Sequence, residues 1–129
     1  MSKPACKKLL YVDDARYMHR VLKLSLPENY AIECVDNGLS ALEIMQQQRF
    51  DIIISDINMP NMTGLELLSK IRQLPNYKKT PVLLMSAEEN PDYRQQGKKL
   101  GADGFIIKPF KPDLIEQCLT TLLNKNSDA

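Results

Sequence analysis

Apolar residues in this chain follow two rhythms that alternate from one end to the other. Short runs at Lys7–Val12 (KKLLYV), Tyr30–Val35 (YAIECV), Ile52–Ile54, Pro81–Met85 (PVLLM) and Gly104–Ile107 (GFII) have the length and aliphatic content of strands. Between them apolar residues recur at helical spacing: Met18, Val21 and Leu22 with Ser25; Leu39, Leu42 and Met45; Leu65, Leu68 and Ile71; Leu114, Ile115, Cys118, Leu119 and Leu122. Punctuation falls where these segments need it. Pro27 closes the first helix, because Leu26 before it is biased toward extended geometry. Asp36-Asn37-Gly38 predicts a turn, Thr63 with Glu66 a capping box, and Asn90-Pro91 an N-cap with proline at the first helical position. The third helix is expected to stop near Leu74-Pro75 and to be followed by a polar loop, Asn76 to Thr80. Pro91 to Leu100 is the weakest helix, with only Tyr93, Gly97 and Leu100 among polar neighbours, and is expected to pack lightly and move.

Five strands alternating with five helices predict an α/β protein with a doubly wound parallel sheet. Right-handed crossovers make the flavodoxin-like strand order 2-1-3-4-5 the simplest topology. The organising stretch is Phe50 to Pro60 (FDIIISDINMP), whose β-branched run reads as a strand buried on both faces. Asp56 follows at its carboxyl end, the edge of a parallel sheet where ligands bind.

Length and composition narrow the class. A chain of 129 residues suits one domain, expected over 1–129 with a core at about 6–124 and without an output domain after the last helix. Lysine and arginine (17) nearly balance aspartate and glutamate (16), which leaves no basic surplus for direct nucleic-acid binding. Cys6, Cys34 and Cys118 are an odd, widely spaced set without a CxxC, and Cys34 and Cys118 read as small core hydrophobes in a reducing compartment. MSKPACKK lacks the apolar segment of a signal peptide, and no apolar run is long enough to cross a bilayer. A cytoplasmic protein is expected.

Strands one, three, four and five point the same way in this topology, so Asp13, Asp14, Asp56, Ser86 and Lys108 would share one rim. Carboxylates about 4 Å apart repel by roughly 4 kcal/mol per pair at an effective dielectric near 20, so positive charge is required among them. Lys108 supplies one unit, and an all-oxygen pocket of carboxylates and a carbonyl suits Mg2+. A carboxylate beside a divalent cation, a hydroxyl and an ammonium is equipped to attack phosphorus in line, which would make Asp56 an acyl phosphate. Taken singly, each residue has a plainer role: Asp13 or Asp14 capping the first helix, Ser86 turning the chain, Lys108 as a solvated charge.

These residues carry a resemblance. DD after strand one, D with MPxMxG after strand three, SA after strand four and KPF after strand five closely resemble the receiver domain of two-component response regulators, in its single-domain form. The resemblance implies that Asp56 is the phosphoacceptor and that Asp13, Asp14, Asp56 and the Asn58 backbone carbonyl surround Mg2+, Asp14 as a direct ligand. It further implies that Ser86 is the hydroxyl that follows phosphorylation, Lys108 the phosphate-pairing lysine, and Phe105 the aromatic whose rotamer reports the state. Lys108-Pro109 is cis in that family. Asn58 and Glu88 resemble the positions that tune phosphoryl lifetime in chemotaxis receivers. Thr63 departs from the family, many members of which carry Asp there; the capping box gives it a structural role instead.

A signalling switch is therefore expected. A histidine kinase or phosphotransfer protein would donate the phosphoryl group, and a downstream protein, the flagellar motor in chemotaxis being one candidate, would dock on the fourth helix, fifth strand and fifth helix. Lys98, Lys99 and Lys111 near that face read as a solvated basic cluster or a surface for an acidic partner. A monomer is expected. An intermediate phosphorelay shuttle has the same sequence signs. A Mg2+-dependent phosphohydrolase would need a second acid near Asp56, where Asn58 stands, and a flavin carrier would need a phosphate cradle in place of the acidic DDAR. His19 reads as an exposed surface histidine rather than a phosphodonor or metal ligand.

Overall fold

A computed structural model describes residues 6–127, with side chains through 124. Residues 1–5, read above for a signal segment, and 128–129 of the polar tail lie outside the described residues. The elements in order are β1 (Lys7–Val12), α1 (Arg16–Ser25), β2 (Tyr30–Val35), α2 (Gly38–Gln47), β3 (Ile52–Asp56), α3 (Gly64–Gln73), β4 (Val82–Ser86), α4 (Pro91–Leu100), β5 (Gly104–Ile107) and α5 (Pro112–Ser127). All strand pairings are parallel and the order is β2-β1-β3-β4-β5, as the alternation predicts. The fifth helix runs on through the polar tail to Ser127, since no glycine or proline interrupts it.

Strand periodicity divides the core into two layers. Leu10, Val12, Ile53 and Leu84 face Ala41 and Met45 of α2 and Leu68 and Ile71 of α3. Leu9, Tyr11, Ile54 and Met85 face Met18 and Leu22 of α1 and Ile115 and Leu119 of α5. Covered on both sides, β3 and β4 are buried at every position. The predicted helix stripes are wider than the surface the sheet offers. Val21, Leu39 and Leu114, expected on core faces, are exposed, because neighbouring helix residues sit about 100° apart and only the innermost of each stripe reaches the strands. Cys34 and Cys118 are half-buried and Cys6 is exposed.

Two expectations change in detail. A short 3-10 turn, Pro75–Tyr77, occupies the start of the predicted polar loop, and Tyr77 is buried there. Its hydroxyl accepts the Phe50 N–H (3.2 Å) and donates to the Gln48 carbonyl (3.0 Å), fixing the entry to β3. Helix α4 buries only Gly97, yet a Cβ there would come within 2.7 Å of Leu84 Cδ1, so the glycine marks a close approach to β4.

Candidate functional site

The entry to β3 and the exit from it are both held from below, which fixes where Asp56 stands. Thr63 caps α3 through a reciprocal capping box with Glu66. Gly64 N–H donates to the Ile57 carbonyl (2.9 Å), and a Cβ on Gly64 would lie 2.3 Å from the Asp56 carbonyl oxygen. Only glycine lets α3 start this close to the Asp56 backbone.

Asp13, Asp14 and Asp56 come together as expected: each offers an oxygen, and the three oxygens lie within 4.8 Å of one another. Asp13 is fully buried, Asp56 is 4% exposed, and Asp14 is open to solvent. Lys108 lies between two of them, its Nζ 2.9 Å from Asp13 Oδ2 and 3.3 Å from Asp56 Oδ1. The Lys108-Pro109 peptide is cis. Neither Asp13 nor Asp14 caps α1, whose N-cap is Ala15 with no side-chain cap bond; Asp13 Oδ1 instead accepts the Ala15 N–H (2.9 Å), turning the chain just before the helix.

Ser86 stands one residue beyond Met85, the β4 partner of Asp56, and is buried, with its hydroxyl accepting the Glu88 N–H (3.3 Å). Glu88 and Asn58 are exposed on the loops above the pocket. Phe105 on β5 is half-buried, with the Arg94 guanidinium 5.0 Å from its ring centroid. Lys98, Lys99 and Lys111 are exposed.

Charge crowding leaves its mark on protonation. Burial, reinforced by the Asp13 charge and only partly offset by Lys108, pushes the Asp56 carboxyl up to about 6. Burial alone would lower Lys108, but its hydrogen bond and attraction to Asp13, and then Asp56, prevail and hold it above the ordinary lysine value. Hard oxygen donors grouped with excess negative charge fit Mg2+ and disfavour thiophilic metals.

One residue that the sequence reading did not single out, Tyr11, and one that it placed on the open surface, His19, complete the site. The Tyr11 hydroxyl donates to Asp13 Oδ2 (2.5 Å) and lies 3.7 Å from Met85 Sδ. Burial and the hydrogen bond to Asp13 raise its pKa, so it remains a donor. A phenol in an otherwise aliphatic buried strand was the available signal, because its hydroxyl needs a partner and residue i+2 shares its face. His19, expected on the open surface, is instead half-buried: its Nε2 lies 2.7 Å from the Asp13 carbonyl oxygen and its ring meets Tyr11 edge-on at 5.7 Å. Helix α1 starts only three residues after Asp13, and its first turn folds back over the end of β1.

An acidic pocket anchored by one lysine stands at the carboxyl edge of a 2-1-3-4-5 parallel sheet, which defines a flavodoxin-like α/β protein. Residues 9–120 match the response regulator receiver domain, and the chain belongs to that family of two-component signalling domains. It is 31% identical to the chemotaxis protein CheY of Pseudomonas aeruginosa over 120 residues, 92% of this chain and 97% of that protein. It is also 35% identical over 121 residues to the transcriptional regulatory protein ResD of Bacillus subtilis, covering 93% of this chain but 49% of that longer protein. The crystallised chemotaxis protein CheY4 of Vibrio cholerae superposes with a TM-score of 0.86 at 39% identity, over 92% of this chain and 99% of that one. Receiver domains are signalling switches that typically bind Mg2+ at an acidic pocket, and the Asp13, Asp14 and Asp56 cluster has the matching donor set. Among the described residues no helix is long and apolar enough to cross a membrane.

Proposed function

We propose that this chain is a phosphorylation-controlled signalling switch in which Asp56 accepts a phosphoryl group from the phosphohistidine of a kinase or phosphotransfer protein. The observation that carries this reading is the setting of Asp56: a nearly buried carboxylate at the tip of a central strand, 3.3 Å from an ammonium and grouped with two further acids. Asp14, Asp56 and the Asn58 carbonyl would hold Mg2+, with Asp13 completing the acidic set. When bound, the ion supplies positive charge to the phosphoryl oxygens.

An Asp56 carboxylate oxygen attacks phosphorus in line, the P–N bond breaks, and its electron pair leaves with the donor imidazole. The product is an acyl phosphate, later hydrolysed by water flanked by Asn58 and Glu88, which set its lifetime. Lys108 pairs with the new oxygens, the Ser86 hydroxyl donates to one of them, and Phe105 turns inward toward the vacated space. Helix α4, which buries only its glycine, is the bistable element. Driving such an element from 1:99 to 99:1 takes about 5.5 kcal/mol, within reach of charge-assisted bonds to a phosphoryl group.

The α4–β5–α5 face then docks a downstream protein, with the chain acting as a monomer. Near full-length coverage of CheY supports a chemotaxis target, such as the flagellar motor. The test is incubation with acetyl phosphate and Mg2+ followed by intact mass. One phosphoryl group on the wild type and none on Asp56→Asn is the expected result; label that survives the substitution would overturn the assignment.

A further inference from the structure

Asp13 Oδ2 receives two donors of different character. One is the Lys108 ammonium at 2.9 Å, which also reaches Asp56 Oδ1 at 3.3 Å. The other is the neutral Tyr11 hydroxyl at 2.5 Å. Tyr11 and Asp13 are both fully buried, and neither oxygen of Asp13 lacks a donor, since Oδ1 takes the Ala15 N–H. An aliphatic side chain like Leu9, Leu10 or Val12 would fill the strand without touching the carboxylate. The phenol is also braced, paired with Cys34 and Ile54 across the sheet and packed edge-on against His19, so its hydroxyl has little freedom to leave.

The two donors differ in what they can do once Asp56 changes. Lys108 bridges Asp13 and Asp56, so it is the donor that new phosphoryl oxygens on Asp56 would draw away. Were it alone on Oδ2, its departure would strip a buried, ionised oxygen, a cost that would hold the ammonium back. A neutral donor that stays behind removes most of that cost while leaving the charge of Asp13 intact for a cation.

We propose that Tyr11 is a positioning residue for phosphoryl acceptance: its hydroxyl remains on Asp13 and thereby frees Lys108 to follow the phosphoryl group. The proposal rests on Asp56 as acceptor, and its test separates the two. In the metal-free protein, Lys108→Met should raise the unfolding equilibrium constant about tenfold more in a Tyr11→Phe background than in wild type, because the two donors substitute for each other. The cycle is measured in a stabilising osmolyte, so that the double variant stays folded and the excess over the sum of the single effects is read directly. At saturating Mg2+, Tyr11→Phe should take label from acetyl phosphate about tenfold more slowly, while its Mg2+ Kd by calorimetry stays within about twofold of wild type. Additive unfolding effects would overturn the proposal whatever the labelling shows. So would equal labelling rates, or a parallel loss of Mg2+ affinity and rate, the mark of a merely structural tyrosine. A coupled cycle in a protein that takes no label on Asp56 would instead overturn the acceptor reading, and with it any role for Tyr11 in the reaction.

Discussion

Asp56 should weaken the metal-free protein, and the size of that effect follows from its surroundings. Its carboxyl is raised from 3.8 to about 6, chiefly by burial and the neighbouring Asp13 charge. A carboxyl raised on folding favours its neutral form, so stability is full below pH 3.8 and falls as pH rises through about 6. Roughly 2 pH units at 1.36 kcal/mol each is about 3 kcal/mol, and because the side chain is 6% exposed, solvent screening takes little from it. Asp56→Asn, which mimics the neutral form in shape, should match wild type near pH 3.5 and exceed it by up to about 3 kcal/mol at pH 7.5. Urea denaturation in the presence of a chelator, across that range, would show the midpoints separating by about 1–3 M, given slopes of about 1–3 kcal/mol/M. Added Mg2+ should narrow the gap by stabilising wild type more than the variant. A difference that is flat with pH, or a variant less stable than wild type at pH 7.5, would refute the electrostatic account of this pocket.

Other positions give sharper structural tests. Tyr77→Phe leaves the buried Phe50 N–H without its acceptor and should cost about 1–3 kcal/mol in chemical denaturation. Arg72 donates to the carbonyls of Tyr77 (2.8 Å), Thr80 (2.6 Å) and Gly101 (2.7 Å) and to Asp103 (3.1 Å), a fork that an ammonium cannot reproduce. Arg72→Lys should therefore lower stability by about 1–3 kcal/mol, and amide exchange should quicken first around Thr80 and Gly101. Gly64→Ala forces a Cβ against the Asp56 carbonyl, and should destabilise by about 1–3 kcal/mol and slow labelling of Asp56 by acetyl phosphate.

Much of this was legible in the order of residues. Apolar runs of strand length, alternating with helical stripes and separated by Pro27, Gly38, Pro75 and Gly101, fixed five βα units, and the handedness of crossovers then left one simple strand order. Because that order aligns the strand ends, Asp13, Asp14, Asp56 and Lys108 could be grouped before any distance was known. The capping box at Thr63 and the N-cap at Asn90 were equally visible, since a cap and its partner lie within three residues.

What the sequence could not determine was which polar groups meet across long separations in the chain. Tyr77 is 27 residues from Phe50, Arg72 is 29 from Gly101, and the Lys108 that joins Asp13 to Asp56 lies far along the chain from both. His19 and Tyr11 sit near Asp13 in sequence, yet whether the imidazole turned outward or over β1 depended on how α1 docks against the sheet. Periodicity reports which face of an element is apolar, and it is silent on partners, because hydrogen bonds and ion pairs are decided by three-dimensional proximity after the layers have packed. Sequence alone thus set the architecture and the rim on which the acids gather. Tertiary packing decided that the rim is tied by a buried phenol and one shared ammonium.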